Sequence, residues 1–175
     1  MSYNQNSKQS GKNAGIRRQR EAAKNSRSAK EGMSSTLVCP ICNAYYYLKS
    51  WHWAAPKNGS LIGGEMLCPA DAMIKNNTFE GKIIISGLPQ QYKQEILNTV
   101  KNMDKTAQSK DAMDRVIKVT DEKGVITITT TENQLADKIA KKVEAVYRNA
   151  FSKSISFPAQ THANVYIEMT WTKKS

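Results

Sequence analysis

Long apolar runs are missing from this 175-residue chain. None approaches the roughly 18 residues that a bilayer-crossing helix needs, so a membrane-spanning protein is not expected. Met1 to Ser10 carry no hydrophobic stretch of the secretory kind, so export is not expected either. Cysteine is scarce and odd in number. Three cysteines without an export signal point to reduced thiols in the cytoplasm, used for metal binding, redox chemistry or packing. There are only two histidines, His52 and His162, and neither stands in a Ser or Cys nucleophile pattern. Glycine-rich phosphate loops are absent too, Gly63-Gly64 being only a pair. Asp111, Asp114, Asp121 and Glu122 flank strand-like runs and read as turn and cap residues rather than an acid/base pair. These gaps argue against an enzyme and against a small-molecule substrate.

Apolar residues make up 39% of the chain and aromatics 7%, low enough that some stretch must lie outside a packed core. That stretch is short of acids. Residues 1–30 hold eight basic side chains (Lys8, Lys12, Arg17, Arg18, Arg20, Lys24, Arg27 and Lys30) against Glu21 alone, so they carry most of the net charge of +11. Residues 1–35 are also rich in Ser, Asn, Gln and Gly, with only Tyr3 and Ile16 to anchor them by burial. Little offsets the conformational entropy of ordering them, and they read as a disordered basic arm, suited to a polyanion such as nucleic acid or serving only as a solvated solubility tail. Ile16 to Lys30 has the composition to become a short helix once its charge is neutralised.

Residues 36–78 contain all three cysteines and show no period, which suggests a small module held by something other than a hydrophobic core. Cys39-Pro-Ile-Cys42 is followed, after 25 intervening residues, by Cys68-Pro-Ala-Asp71. Two turns of this spacing can present thiolates to one ion, the usual way of holding structural Zn2+. Cys39, Cys42 and Cys68 are therefore expected ligands. The fourth is open between Asp71, which stands where a second pair would place a cysteine, and His52 in Trp51-His52-Trp53. A redox Cys39/Cys42 pair fits less well, because the strand and helix context of such pairs is missing. Tyr45, Tyr46, Tyr47, Trp51 and Trp53 crowd the same module. They can supply its apolar body, they can form a stacking platform for unpaired bases with Lys49 and Lys57 nearby, Trp51 and Trp53 foremost, and both can hold at once.

Residues 79–175 are strongly patterned. Lys82 to Ser86 suits a buried strand, and Tyr92, Ile96, Val100, Met103 and Ala107 recur at helical spacing after a Pro89 start. Arg115 to Thr120 and Val125 to Thr130 flank a turn at Asp121 to Gly124, a hairpin signal. Thr131 and Gln134 form a capping-box pattern ahead of Leu135, Ile139, Val143, Val146 and Ala150. After a loop containing Pro158, Asn164 to Thr172 alternates as a half-buried last strand. The order β-α-β-β-α-β predicts an α+β, ferredoxin-like domain: a four-stranded antiparallel sheet with both helices on one face. The helix-facing layer is expected to be Ile83, Ile85, Ile117, Val119, Ile126, Ile128, Val165, Ile167 and Met169. The open face would carry Lys118, Thr127, Thr129, Tyr166 and Glu168, with Tyr166 its one aromatic. It lacks the aromatic code of RNA-recognition motifs, and a shared fold alone licenses no RNA function for it.

Cys39-Pro-Ile-Cys42, the aromatic stretch Tyr45 to Trp53, Cys68-Pro-Ala-Asp71, Gly81, Asp114-Arg115-Val116, and Thr129-Thr130-Thr131 with Leu135-Ala136 together resemble small bacterial zinc proteins related to the large-ribosomal-subunit export adaptor family of archaea and eukaryotes. The resemblance spans about residues 36–150. The family pattern has four cysteines, so Asp71 is a departure from an all-thiolate site. What the resemblance implies is binding to ribosomal RNA or a ribosomal subunit, in assembly, quality control or ribosome inactivation. The expectation is thus a non-enzymatic, monomeric, cytoplasmic ribosome-associated protein in three parts: arm 1–35, zinc-type module 36–78 and α+β domain 79–175. A DNA-binding regulator built on the same arm and module is the alternative, as is a protein-interaction adaptor docking through the open sheet.

Overall fold

Two sheets and three helices make up the residues described by the computed structural model, which are 35–57, 61–158 and 164–173. The eight cationic side chains of the expected arm lie outside them.

In the cysteine-rich module, strands β1 (Thr36–Val38), β2 (Tyr45–Tyr47), β3 (Ser50–His52) and β4 (Ile62–Glu65) form one sheet in the order β3-β2-β1-β4. β2 pairs antiparallel with β1 and β3, and β4 joins β1 in parallel. Strands of three or four residues are too short to imprint a period on the sequence. The β2–β3 turn places Leu48 and Lys49 at φ 51° and 64°, the primed geometry that matches strand twist. Helix α1 (Pro69–Asn76) begins with proline at its first helical position, where no N–H is needed, and ends at left-handed Asn77.

The second sheet is built from β5 (Gly81–Ser86), β6 (Val116–Glu122), β7 (Val125–Thr130), β8 (Phe151–Ser156) and β9 (Val165–Trp171), with α2 (Gln90–Lys110) after β5 and α3 (Asn133–Val146) after β7. Its order is β6-β7-β5-β9-β8. The α+β class is as expected, but the C-terminal end departs from the ferredoxin-like order. β8 follows α3, and β9 folds back between β8 and β5, so β9 runs parallel to β5 and the sheet is mixed. One added strand after the second helix reverses the direction of the last. In Phe151-Ser-Lys-Ser-Ile-Ser-Phe157 a large residue alternates with serine, a strand period that its serine content and the nearby Pro158 disguise as a loop.

Ile83 and Ile85, Ile126 and Ile128, and Val165, Ile167 and Met169 meet Ile96, Val100, Leu135, Ile139 and Val143 in one buried core. Ile117 and Val119 do not join it. A register shift between Val116 and Lys118 puts Val116 against the core instead, and β6 is an edge strand, so Val119 is 39% exposed. The expected capping box is not formed either, since Glu132 occupies the cap position and no side chain caps α3. Thr131 has another task. Its hydroxyl accepts from the Arg115 N–H at 2.8 Å and donates to the Met113 carbonyl at 2.7 Å, tying the α3 entrance to the segment before β6. On the open face Tyr166 is joined by Phe79, edge-on at 6.0 Å, so the face carries two aromatics rather than one.

Candidate metal centre

The first cysteine pair sits in the loop joining β1 to β2. The Asn43 N–H donates to the Cys39 carbonyl and the Cys39 N–H to Ala44, while left-handed Asn43 turns the chain back. The second lies at a helix start. Cys68 is the N-cap of α1, its sulfur accepting from the Asp71 N–H at 3.3 Å, and Asp71 is one turn in. The spacing of three therefore places both side chains at the open end of α1. One pair reads as a turn and the other as a helix N-terminus, yet both aim at the same point.

The ligand atoms of Cys39, Cys42, Cys68 and Asp71 all lie within 4.8 Å of one another, close enough to hold a metal ion. Asp71 Oδ2 is 3.1 Å from Cys39 Sγ and 3.0 Å from Cys68 Sγ, and Cys42 Sγ is 3.8 Å from Cys68 Sγ. All three cysteines are free of disulfides. Burial opposes charge throughout the cluster, but the neighbours differ. At Cys39, backbone N–H groups of Cys42, Cys68 and Ile41 outweigh burial and hold the thiol below its ordinary value. At Cys42 and Cys68 burial wins, helped by the Asp71 carboxylate, and both thiols are pushed up. The Asp71 carboxyl is held low against burial by the thiols donating to it and by the Arg115 charge.

His52 is not part of the cluster. β3 pairs with β2 so that Tyr46 faces Trp51 and Tyr45 faces His52. Successive side chains of a strand point to opposite faces. Trp51 enters the module core with Cys39 and Cys68, so His52 is sent to the other face, where it stacks on Tyr47 with 4.2 Å between centroids. Asp71 is therefore the fourth member.

The same alternation corrects the reading of Trp51 as a base-stacking residue. It is 8% exposed and packed against Tyr46, so its faces are taken. Trp53 is 42% exposed, but its ring lies over Arg115, and its indole N–H donates to the Gln108 carbonyl of α2. Lys49 stands exposed at the β2–β3 turn.

Arg115 enters the sequence reading only at the start of a strand-like run and within the Asp114-Arg115-Val116 motif, with no role at the cysteines. It is 7% exposed, and its Nη1 donates to Asp71 Oδ1 at 2.9 Å, the carboxylate oxygen turned away from Cys39 and Cys68. Burial disfavours its charge, but the acids and thiols around it keep the guanidinium firmly protonated. A signal existed: outside the basic arm the chain contains only two arginines, Arg115 and Arg148, among many lysines. Arginine is the usual choice for a buried, forked ion pair.

No helix among the described residues is long and apolar enough to cross a membrane. No family model matches the chain, and neither does any curated protein or solved structure.

Proposed function

We propose that this is a zinc-dependent, non-enzymatic RNA-binding protein that works on the ribosome in the cytoplasm. The observation that carries the metal reading is the closure of the cluster. Three sulfurs and one carboxylate oxygen converge on one point, and the second oxygen of that carboxylate is already held by Arg115. Soft sulfur donors at tetrahedral number suit Zn2+ and not Mg2+ or Ca2+, and four protein donors leave no position for a substrate, as in structural sites. Cys39, Cys42, Cys68 and Asp71 are the residues that would hold the ion, and its contribution there is to fasten two chain segments that bury little else.

The partner reading is supported by charge. A polycation of eight side chains precedes a module that is itself closed, so the arm supplies non-specific attraction to phosphate. The module, with exposed Lys49 and the partly exposed Trp53, supplies what discrimination there is. A sucrose-gradient profile of cell lysate tests the reading: co-migration with a subunit or the whole ribosome is expected. Migration at the top of the gradient after crosslinking refutes ribosome association. Equal affinity for duplex DNA and loop-bearing ribosomal RNA at physiological salt transfers the reading to a DNA-binding regulator.

A further inference from the structure

The fourth ligand of the cluster belongs to the module, but the group that orients it comes from the segment between α2 and β6. Arg115 lies immediately before β6. Its backbone is fixed on both sides by Thr131, whose hydroxyl accepts from the Arg115 N–H at 2.8 Å and whose own N–H donates to the Arg115 carbonyl at 2.9 Å. Its side chain is equally constrained. Nε donates to the Ala112 carbonyl at 2.9 Å, Nη1 to Asp71 Oδ1 at 2.9 Å, and Nη2 lies 3.9 Å from Cys68 Sγ. The guanidinium carbon sits 5.4 Å from the centroid of Trp53, which in turn donates to Gln108 of α2. Ala112, 2% exposed, is part of the module core rather than of the α+β core.

A carboxylate ligand can swing between binding through one oxygen and through two. A guanidinium on one oxygen removes that freedom and aims the other at the ion. It also offsets part of the negative charge that three thiolates and a carboxylate leave around a divalent cation. Removing Asp71 from this arrangement would strand a buried arginine. The two sides of the pair therefore depend on each other, and they belong to different parts of the fold.

We propose that Arg115 is a positioning residue for the metal centre, and that through the Asp71–Arg115 pair occupation of the centre by metal fastens the cysteine module to the α+β domain. The proposal rests on the zinc reading above. By linkage, whatever affinity the metal gains from a docked Arg115, docking gains equally from the metal.

The test uses the full chain, with Zn2+ as the probe, a chromophoric chelator as competitor, and hydrogen exchange before and after chelation. Arg115→Met is expected to weaken Zn2+ binding about 10- to 100-fold, the usual effect of losing a group that holds a ligand, and Arg115→Lys to fall between, since it keeps the charge but loses the fork. In the Asp71→Cys background, where the ligand has a single donor atom and nothing to orient, only the charge-offsetting share of the loss remains, so Arg115→Met is expected to cost clearly less Zn2+ affinity than it does in the wild-type chain. Chelation of the wild-type chain should speed exchange at residues 108–115 and at Thr131, as well as within the module. Unchanged Zn2+ affinity of Arg115→Met, or the same loss in the Asp71→Cys background, overturns the positioning role while leaving the zinc reading intact. Unchanged exchange at 108–115 and Thr131 on chelation overturns the fastening, and needs no variant that might misfold. A wild-type chain that takes up no Zn2+ overturns the zinc reading itself and the proposal with it.

Discussion

Replacing Gly81 by Ala puts a methyl group where the start of α3 crosses β5. The added Cβ would stand 2.3 Å from Thr130 Oγ1, 2.5 Å from Ala136 Cβ and 3.1 Å from the Glu132 carbonyl oxygen, against about 3.4–4 Å for ordinary contact. Ala136 has no rotamer to change, so the helix itself must move by roughly an ångström. Overpacking of this kind costs about 1–3 kcal/mol. Thr130 can turn its hydroxyl away only by losing its 2.7 Å bond to the Glu132 carbonyl, worth about 1 kcal/mol. A less flexible unfolded chain returns about 0.4–1 kcal/mol. The expected net loss is about 1–3 kcal/mol, read by urea denaturation of the zinc-saturated chain with far-ultraviolet circular dichroism. Ala136→Gly removes the opposing methyl, and alone it lowers stability by about 1 kcal/mol through helix propensity. Because the two changes act at one contact, the double variant should be more stable than the sum of the singles by at least ~0.5 kcal/mol. A Gly81→Ala protein within ~0.5 kcal/mol of wild type, or strict additivity in the pair, would show that the junction is looser than these distances imply.

Trp51→Ala should destabilise the module by about 3–5 kcal/mol and reduce its zinc content, as expected for a buried aromatic; a variant that keeps wild-type zinc affinity would place Trp51 outside the core. Zn2+ affinity should fall as pH falls. Cys42 and Cys68 are held above the ordinary thiol range by burial and the nearby carboxylate, so they stay protonated at neutral pH until the ion displaces their protons. Calorimetry in buffers of different ionisation enthalpy should therefore register proton release, and an enthalpy independent of buffer would contradict it. Deleting residues 1–30 should flatten the salt dependence of RNA binding. If eight basic side chains neutralise roughly five to six phosphates, log K falls with log salt at a slope near −4 to −5, and an unchanged slope would make the arm a spectator.

The sequence alone determined whatever depends on local period and spacing. Ile83 and Ile85 announce a buried strand, Ile96 and Val100 a helix face, and Leu135, Ile139 and Val143 a second, because a 3.6-residue or two-residue repeat is written directly into side-chain order. The cysteine spacing likewise brought Cys39, Cys42 and Cys68 to one candidate site. Tertiary structure decided the rest. Asp71 and His52 are both competent zinc donors, and only the β2–β3 register, with Trp51 turned toward the cysteines, sends His52 to the opposite face. Ile117 loses its core position to a bulge that no propensity encodes. β8 was hidden by serines, and its presence reverses β9, so one overlooked strand changed the sheet from antiparallel to mixed. Arg115 was the least legible of all. It lies 44 residues from Asp71, and a long-range ion pair leaves no periodic trace; it exists only because Thr131 and the turn after α2 hold that arginine against the module.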